Sequence, residues 1–352
     1  MESFEWQRAT SLENAATLAT HTATESMLGA QDLSAASQAV LVKAGGVDLL
    51  DLMKEGLVSP KRLIDINNLS EFQSISEDAN GGFTIGALTT LAQIAAHSGL
   101  GKYFPALVQA VTAAASPQIR NRATLGGNLL QRPRCWYLRS PAHHCLRKGG
   151  EHCFAYAGDN RYHAVFSNHD GCAIVHPSTP ATALLAFQAQ IKCVSAHGAQ
   201  RVIPIDDFFM LPSRDPRHEN ILQAGELITA VKLPAPHPAQ RSAYLQLSEK
   251  AAFDWPLAAV AAVFVIDRND ICQQARIVLG SVSPTPRRAQ EAENILTGAK
   301  IDPDNARTAA EAAITTATPL SGNAYKLPLL SALISRTILK AASCESPYER
   351  FL

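Results

Sequence analysis

The chain has 352 residues, 47% of them hydrophobic and 18% charged, which is enough apolar side chain for two cores of ordinary size. Lys plus Arg and Asp plus Glu both number 31, so no global field selects nucleic acid or an acidic membrane surface as a partner. Seven cysteines, an odd and sparse set, argue against a disulfide framework and for metal or redox use of some of them.

The opening "MESFEWQRAT" has no basic segment leading into an apolar run. The expectation is a chain without a secretory signal of its own, cytoplasmic, and periplasmic only if a signal-bearing partner exports it. No apolar run approaches the ~20 residues of a spanning helix, so no membrane insertion is expected. Residues 12–36 are rich in Ala, Ser and Thr, and "AQDLSAASQ" reads as a loop. Val40, Leu41 and Val42 then form a short apolar run, as a buried strand does. After a glycine pair, Leu49, Met53 and Leu57 recur at four-residue spacing and mark one helical face, with Gly56 and Pro60 as stop signals. "RLIDIN" closes a strand–turn–helix–strand unit. Phe83, Ile85 and Ala87 alternate as in a strand, and a helix is expected from about Thr89.

"FPALVQAVTAAAS" predicts a further helix, stopped at Pro117. "AIVH" reads as a strand, and "PATALLAF" as a helix opened by Ser178 or Thr179. "GELITAVKLP" ends this half. Residues 235–240, "APHPAQ", are the linker candidate. Beyond it, "LAAVAAVFVI" and "ARIVLGSVS" predict buried strands. "RRAQEAENILTG", "DNARTAAEAAITTA" and "YKLPLLSALISRTILKA" predict helices. The pattern is that of a second, smaller α+β domain.

Two glycine pairs stand out. In Lys43-Ala44-Gly45-Gly46-Val47-Asp48-Leu49, the glycines lie between a strand and a helix. Consecutive N–H groups at a helix N-terminus suit a pyrophosphate, although the stretch is neither a dinucleotide fingerprint nor a P-loop. In "SPQIRNRATLGGNLLQ", Thr124, Gly126, Gly127 and Asn128 offer a hydroxyl, bare amides and a side-chain amide within five residues. Either pair alone also reads as a tight turn; two in one domain point to a shared dinucleotide.

Between residues 132 and 172 lies a polar stretch with Cys135, Cys145, Cys153 and Cys172, separated by nine, seven and eighteen residues. Structural zinc sites favour gaps of two to four. A disulfide pair conflicts with a reducing compartment. A four-thiolate iron–sulfur cluster tolerates wide spacing. On spacing alone all three stay open. His143 and His144 are alternative ligands, and also read as two solvent-facing loop residues.

"KAGGVDLLDLMK" and "QIRNRATLGGNL", in this order and separation, resemble the two FAD-binding signatures of the flavoprotein subunits of the xanthine dehydrogenase family, the molybdenum hydroxylases. The resemblance extends through "GALTTLAQIAAH", "AIVHPSTPATAL", "DWPLAAVAAV", "LGSVSPTPRRAQEAE" and "AYKLPLLSALISRTIL", over nearly the whole chain. It implies a two-lobed PCMH-type FAD-binding domain over residues 1–235, then an α+β C-terminal domain of the CO dehydrogenase flavoprotein type over 241–345. Carried over, Lys43 to Leu49 cradle the pyrophosphate, Ala123, Thr124, Leu125, Gly126, Gly127 and Asn128 form the second FAD contact, and Lys250 is a basic residue near the flavin. Val47 stands where the family more often has Thr, and "DWPLAAV" departs from the more usual "DFALVSV".

The resemblance also bears on the cysteines. A four-cysteine insertion at this point, carrying an extra [4Fe–4S] cluster, is a feature of periplasmic-type aldehyde oxidoreductases and of 4-hydroxybenzoyl-CoA reductase; "NLLQRPRCWYLRSPAHHC" is similar to the former. This implies Cys135, Cys145, Cys153 and Cys172 as ligands. It also implies a large molybdopterin-binding subunit and a small 2×[2Fe–2S] subunit as partners, and an FAD- and [4Fe–4S]-binding electron-transfer role. The alternatives are a 4-hydroxybenzoyl-CoA reductase-like flavin subunit and a stand-alone flavin oxidase. No catalytic acid, base or nucleophile is expected, because the redox chemistry belongs to the cofactor. Arg132, Arg134, Arg139, Arg147 and Lys148 flank the cysteines with only Glu151 opposing them before Cys153. That predicts a positive environment, which favours thiolates and the reduced cluster.

Overall fold

The computed structural model describes residues 1–29, 39–168, 171–250, 254–344 and 346. The expected "AQDLSAASQ" loop lies outside them. Three sheets organise the chain. The first is parallel, with β1 (Glu5–Arg8), β2 (Val40–Lys43) and β3 (Arg62–Asp65) in the order β1-β3-β2. The helix Val47–Lys54 joins β2 to β3 and buries Leu52 and Met53 against Leu41 and Leu63. Leu57 belongs to the same core but lies just past the helix, where its N–H bonds the Leu52 carbonyl at 2.9 Å.

The second sheet is antiparallel and holds β4 (Ile75–Glu77), β5 (Phe83–Gly86), β6 (Gln190–Val194), β7 (Gln200–Pro204) and β8 (Leu227–Leu233), in the order β4-β5-β8-β6-β7. Thr90 opens the next helix with a capping box to Gln93. The helix Pro105–Ala113 ends four residues before Pro117, which instead takes the first position of a new short turn, Pro117–Arg120. A proline fits there because its missing N–H is not needed. Ser178, not Thr179, is the cap of Thr179–Ala186, accepting from the Ala181 N–H at 3.1 Å. "AIVH" is not a strand. Ala173, Ile174 and His176 are buried, and the backbone bonds other loops: Ala164 donates to Ala173, and His176 to Ser283. The described part of the Ala/Ser/Thr-rich start contains the helices Leu12–Leu18 and Ala23–Gly29, which composition alone did not reveal.

The third sheet, β9 (Gln240–Leu247), β10 (Ala258–Ile266), β11 (Cys272–Gly280) and β12 (Arg287–Arg288), lies between two cores. All nine residues of β10 are buried. Its side chains alternate: Ala259, Ala261 and Val263 join the core of the second sheet, while Ala258, Val260, Ala262, Phe264 and Ile266 join the core under the C-terminal helices. A strand covered on both faces reads as a continuous apolar run, which is why "LAAVAAVFVI" shows no alternation.

The cysteine stretch is largely irregular, with a four-residue helix Trp136–Arg139 and a turn Leu146–Lys148. It bridges distant parts of the fold. Leu138 and Cys145 pack on the first lobe, whereas Val165 and Phe166 enter the C-terminal core. The buried Lys326 ammonium fastens this end, donating to the carbonyls of His163 and Ser281 at 3.2 and 3.0 Å. No helix among the described residues is long and apolar enough to cross a membrane.

Candidate functional site

Both glycine pairs face one cleft of about 560 Å3, within the usual range for small-molecule sites. Residues of the segment 218–228 and Asp254 to Pro256 are among its other lining residues. All seven residues from Lys43 to Leu49 line it, as do Ala123, Thr124, Gly126, Gly127 and Asn128. Leu125 does not; it is fully buried in the core beneath. Lys250 is exposed and is not among the lining residues, its N–H bonding the Asp254 carboxylate at 2.9 Å.

The two glycine loops play different parts. Gly46 caps the helix Val47–Lys54 with φ at +79° and no side-chain bond. Among the described residues, the amides of Gly45, Gly46, Val47 and Asp48 have no acceptor in the chain. This is an open cradle of donors at the positive end of a helix. The second loop was expected to offer bare amides, and it does not. The Leu125 and Gly126 N–H groups bond Thr89 and Ala87 carbonyls at 2.9 Å, Gly127 bonds the Thr124 hydroxyl at 3.2 Å, and Asn128 the Thr124 carbonyl at 2.8 Å. What this loop presents is the remaining hydroxyl hydrogen of Thr124 and the amide of Asn128, whose oxygen is fixed by Ser178 at 2.6 Å. Lys43 also differs from expectation. Its ammonium is held by Asp65 at 3.2 Å and lies 4.8 Å from the Trp6 ring, and neither partner lines the cleft. Its share of the cleft is backbone and stem.

Asp48, read from sequence as part of the cradle, is the joint between cleft and insertion. Its carboxylate accepts the Arg132 N–H at 2.8 Å, Arg134 at 2.9 Å and Arg139 at 2.6 Å. Asp51, on the same helix, and Glu55, at its C-cap, add contacts to Arg139 at 3.2 and 3.6 Å. Arg134 in turn lies 4.5 Å from the ring centroid of Trp255, an exposed side chain on the cleft wall.

All four cysteines of the insertion line a single tight cavity beside Arg147 and His163. Cys135 Sγ is 3.2 Å from His163 Nε2. Burial pushes the Cys135 thiol up to about 12. A hydrogen bond from Cys153, with Arg147 beside it, brings Cys172 down to about 6, and the same bond raises Cys153. Cys193, Cys272 and Cys344 lie elsewhere. Among the described residues no group of three or more His, Cys, Asp or Glu is placed closely enough to hold a metal ion as it stands. His143 packs edge-on against the rings of Tyr137 and Phe154 and bonds Ser140, while His144 is exposed.

The positive surroundings expected from the sequence are mostly cancelled in space. Asp48, Asp51 and Glu55 answer Arg134 and Arg139. Glu219, buried at 9% exposure, accepts Arg132 at 3.0 Å and Arg147 at 2.8 Å. Burial works against the Glu219 carboxylate, and the two guanidinium groups overcome it, so its pKa is lowered. Glu219 and His163 carried no sequence signal; each lies far along the chain from the partner that gives it meaning. The Arg147 Nε and Nη2 atoms are buried with no hydrogen-bond partner among the described residues. Unpaired buried donors facing a sulfur-lined cavity fit an anionic group there, and four thiols are the donor set of a [4Fe–4S] cluster. The open amide cradle likewise fits the pyrophosphate of FAD.

Residues 2–236 match the family model of the FAD binding domain in molybdopterin dehydrogenase, and residues 242–341 that of the CO dehydrogenase flavoprotein C-terminal domain. The chain belongs to the FAD-binding subunits of the molybdenum hydroxylases. Such subunits are parts of oxidoreductase complexes, and FAD is their cofactor. The aldehyde oxidoreductase FAD-binding subunit PaoB of Escherichia coli is 34% identical over 85% of this chain and 90% of its own length. The carbon monoxide dehydrogenase medium chain of Hydrogenophaga pseudoflava is 27% identical over 84% and 86%. In fold, the chain is similar to a CO dehydrogenase structure from Oligotropha carboxidovorans, with a TM-score of 0.72 at 22% identity, covering 97% of this chain and 98% of that one.

Proposed function

We propose that this subunit binds FAD and a [4Fe–4S] cluster and transfers electrons within a molybdenum-containing aldehyde oxidoreductase. The observation that carries the reading is the convergence of Cys135, Cys145, Cys153 and Cys172 on one cavity, joined through Asp48 and Glu219 to the FAD cleft. The similarity to an aldehyde oxidoreductase FAD-binding subunit supports the substrate class. A large molybdopterin-binding subunit and a small 2×[2Fe–2S] subunit are the partners this role requires, and residues 236–240 are the linker between the two domains.

Each residue of the site has a stated task. Gly45, Gly46, Val47 and Asp48 present backbone N–H groups to the pyrophosphate. Thr124 and Asn128 hydrogen-bond the cofactor from the facing loop. Ala44, Leu49, Ala123, Gly126 and Gly127 shape the walls, and the Lys43 stem closes the floor while Asp65 holds its charge away. Lys250 stays outside the described cleft and carries no task here. The four thiols hold the cluster, and Arg147 supplies a buried positive charge on the wall of the same cavity. When bound, the flavin supplies exchange between one- and two-electron chemistry and the cluster supplies one-electron exchange. The chain contributes binding, orientation and electrostatics, with no acid–base residue.

The test is purification with co-purifying chains, followed by visible spectroscopy and metal analysis. The expected result is noncovalent FAD and about four irons per copy of this chain beyond the partners' clusters. Zinc in place of iron, or a colourless protein that takes up no FAD on reconstitution, overturns the reading.

A further inference from the structure

The charges around the cysteine cavity do not balance. Arg134 and Arg139 are matched by Asp48, Asp51 and Glu55, but Arg132 and Arg147 share one carboxylate oxygen, Oε1 of Glu219. Arg132 spends its other donors on the Arg217 carbonyl at 3.1 Å and Met27 Sδ at 3.0 Å. Arg147, 1% exposed, keeps Nε and Nη2 unpaired among the described residues and lines the cysteine cavity together with Cys172. Next to it Lys148, 7% exposed, bonds only the Ser140 carbonyl at 2.5 Å and forms no ion pair with a described carboxylate. Buried cations in excess of their carboxylates are strongly disfavoured unless a further anion answers them. The group left to answer them is whatever the four thiolates hold.

We propose that Arg147 is a positioning residue that sets the reduction potential of the iron–sulfur cluster, and that Glu219 tempers the positive charge the cluster feels. The inference rests on the cluster reading above. A cluster gains negative charge on reduction, so a buried cation at its sulfur stabilises the reduced form, and a hydrogen bond to the sulfur acts in the same direction. Glu219 opposes this by neutralising one of the two arginines. Because Glu219 also lines the FAD cleft, the two sites share one buried charge network.

The test is a redox titration of the purified complex, followed by the EPR signal of the reduced cluster, with iron content measured on each sample. Arg147→Gln is expected to lower the reduced-to-oxidised ratio at a fixed potential at least tenfold, equivalent to about 59 mV for one electron. Glu219→Gln is expected to move it the opposite way. Unmoved potentials with about four irons retained, or shifts of the same sign, overturn the proposal and leave the cluster reading standing. If Arg147→Gln fails to retain iron, the sign of Glu219→Gln decides: a rise supports the proposal and no rise overturns it. A wild-type chain without iron overturns the cluster reading itself.

Discussion

The carbonyl oxygen of Arg122 lies 2.0 Å from the point that a Cβ on Gly45 would occupy. Gly45 is therefore glycine because the second loop's backbone rests on it, and a side chain there collides with protein before it reaches ligand. Gly45→Ala is expected to part the two loops, weaken FAD at least tenfold and lower the thermal midpoint. Gly46→Ala meets side chains rather than backbone, Lys43 Cε at 2.9 Å and Leu50 Cδ1 at 3.2 Å, and is strained by its φ of +79°. It should cost about 1–2 kcal/mol and keep FAD bound. FAD titration of both apoproteins separates them; equal affinities would sink this account of Gly45.

The seven cysteines divide into two sets. Serine at Cys135, Cys145, Cys153 or Cys172 should strip or damage the proposed cluster, seen as loss of iron and of its EPR signal. Alanine at Cys193, Cys272 or Cys344 should leave about four irons, since these side chains are remote from the cavity. Iron retained in a Cys153→Ser, Cys172→Ser double variant would refute the ligand set.

Asp48 clamps the insertion through three arginine contacts. Asp48→Ala should free Arg134 and Arg139 and speed tryptic cleavage after them about tenfold, equivalent to about 1.4 kcal/mol in local opening. Asp51→Ala should do much less, because that carboxylate is 49% exposed and its pairs are screened. A mass-mapped digestion time course checks both.

Burial holds His176 down to about 3, against an ordinary 6.5. Its Nε2 has no partner among the described residues, and its ring meets Phe209 edge-on at 4.4 Å. The folded chain thus keeps it neutral while the unfolded chain binds a proton between those values. The stability it contributes is complete above pH ~6.5 and falls by about 1.4 kcal/mol per pH unit toward pH ~3. His176→Phe should flatten that slope. Urea midpoints at pH 7.5 and 5 measure it, and an unchanged slope would place the titration elsewhere.

The FAD loops, the strands around them and the four cysteines were legible because each is local: a glycine pair between strand and helix, an apolar run, a residue type. Family resemblance joined them into one reading. The use of the second loop's amides was not legible, because their acceptors, Thr89 and Ala87, lie about 40 residues upstream. Pro117 read as a stop because prolines end helices, yet a proline also begins them.

By itself, the sequence determined which chemistry-bearing groups exist, their local turns and helices, and the two domains that carry them. Only the tertiary structure decided which charges survive. Five cations crowd the cysteines along the chain, but Asp48, Asp51, Glu55 and Glu219 fold onto them from other segments, leaving Arg132 and Arg147 to share one carboxylate and Lys148 without a described one. It likewise decided that β10 serves two cores at once, one on each face. Charge balance and burial depend on distances across the fold, and chain order does not encode those distances.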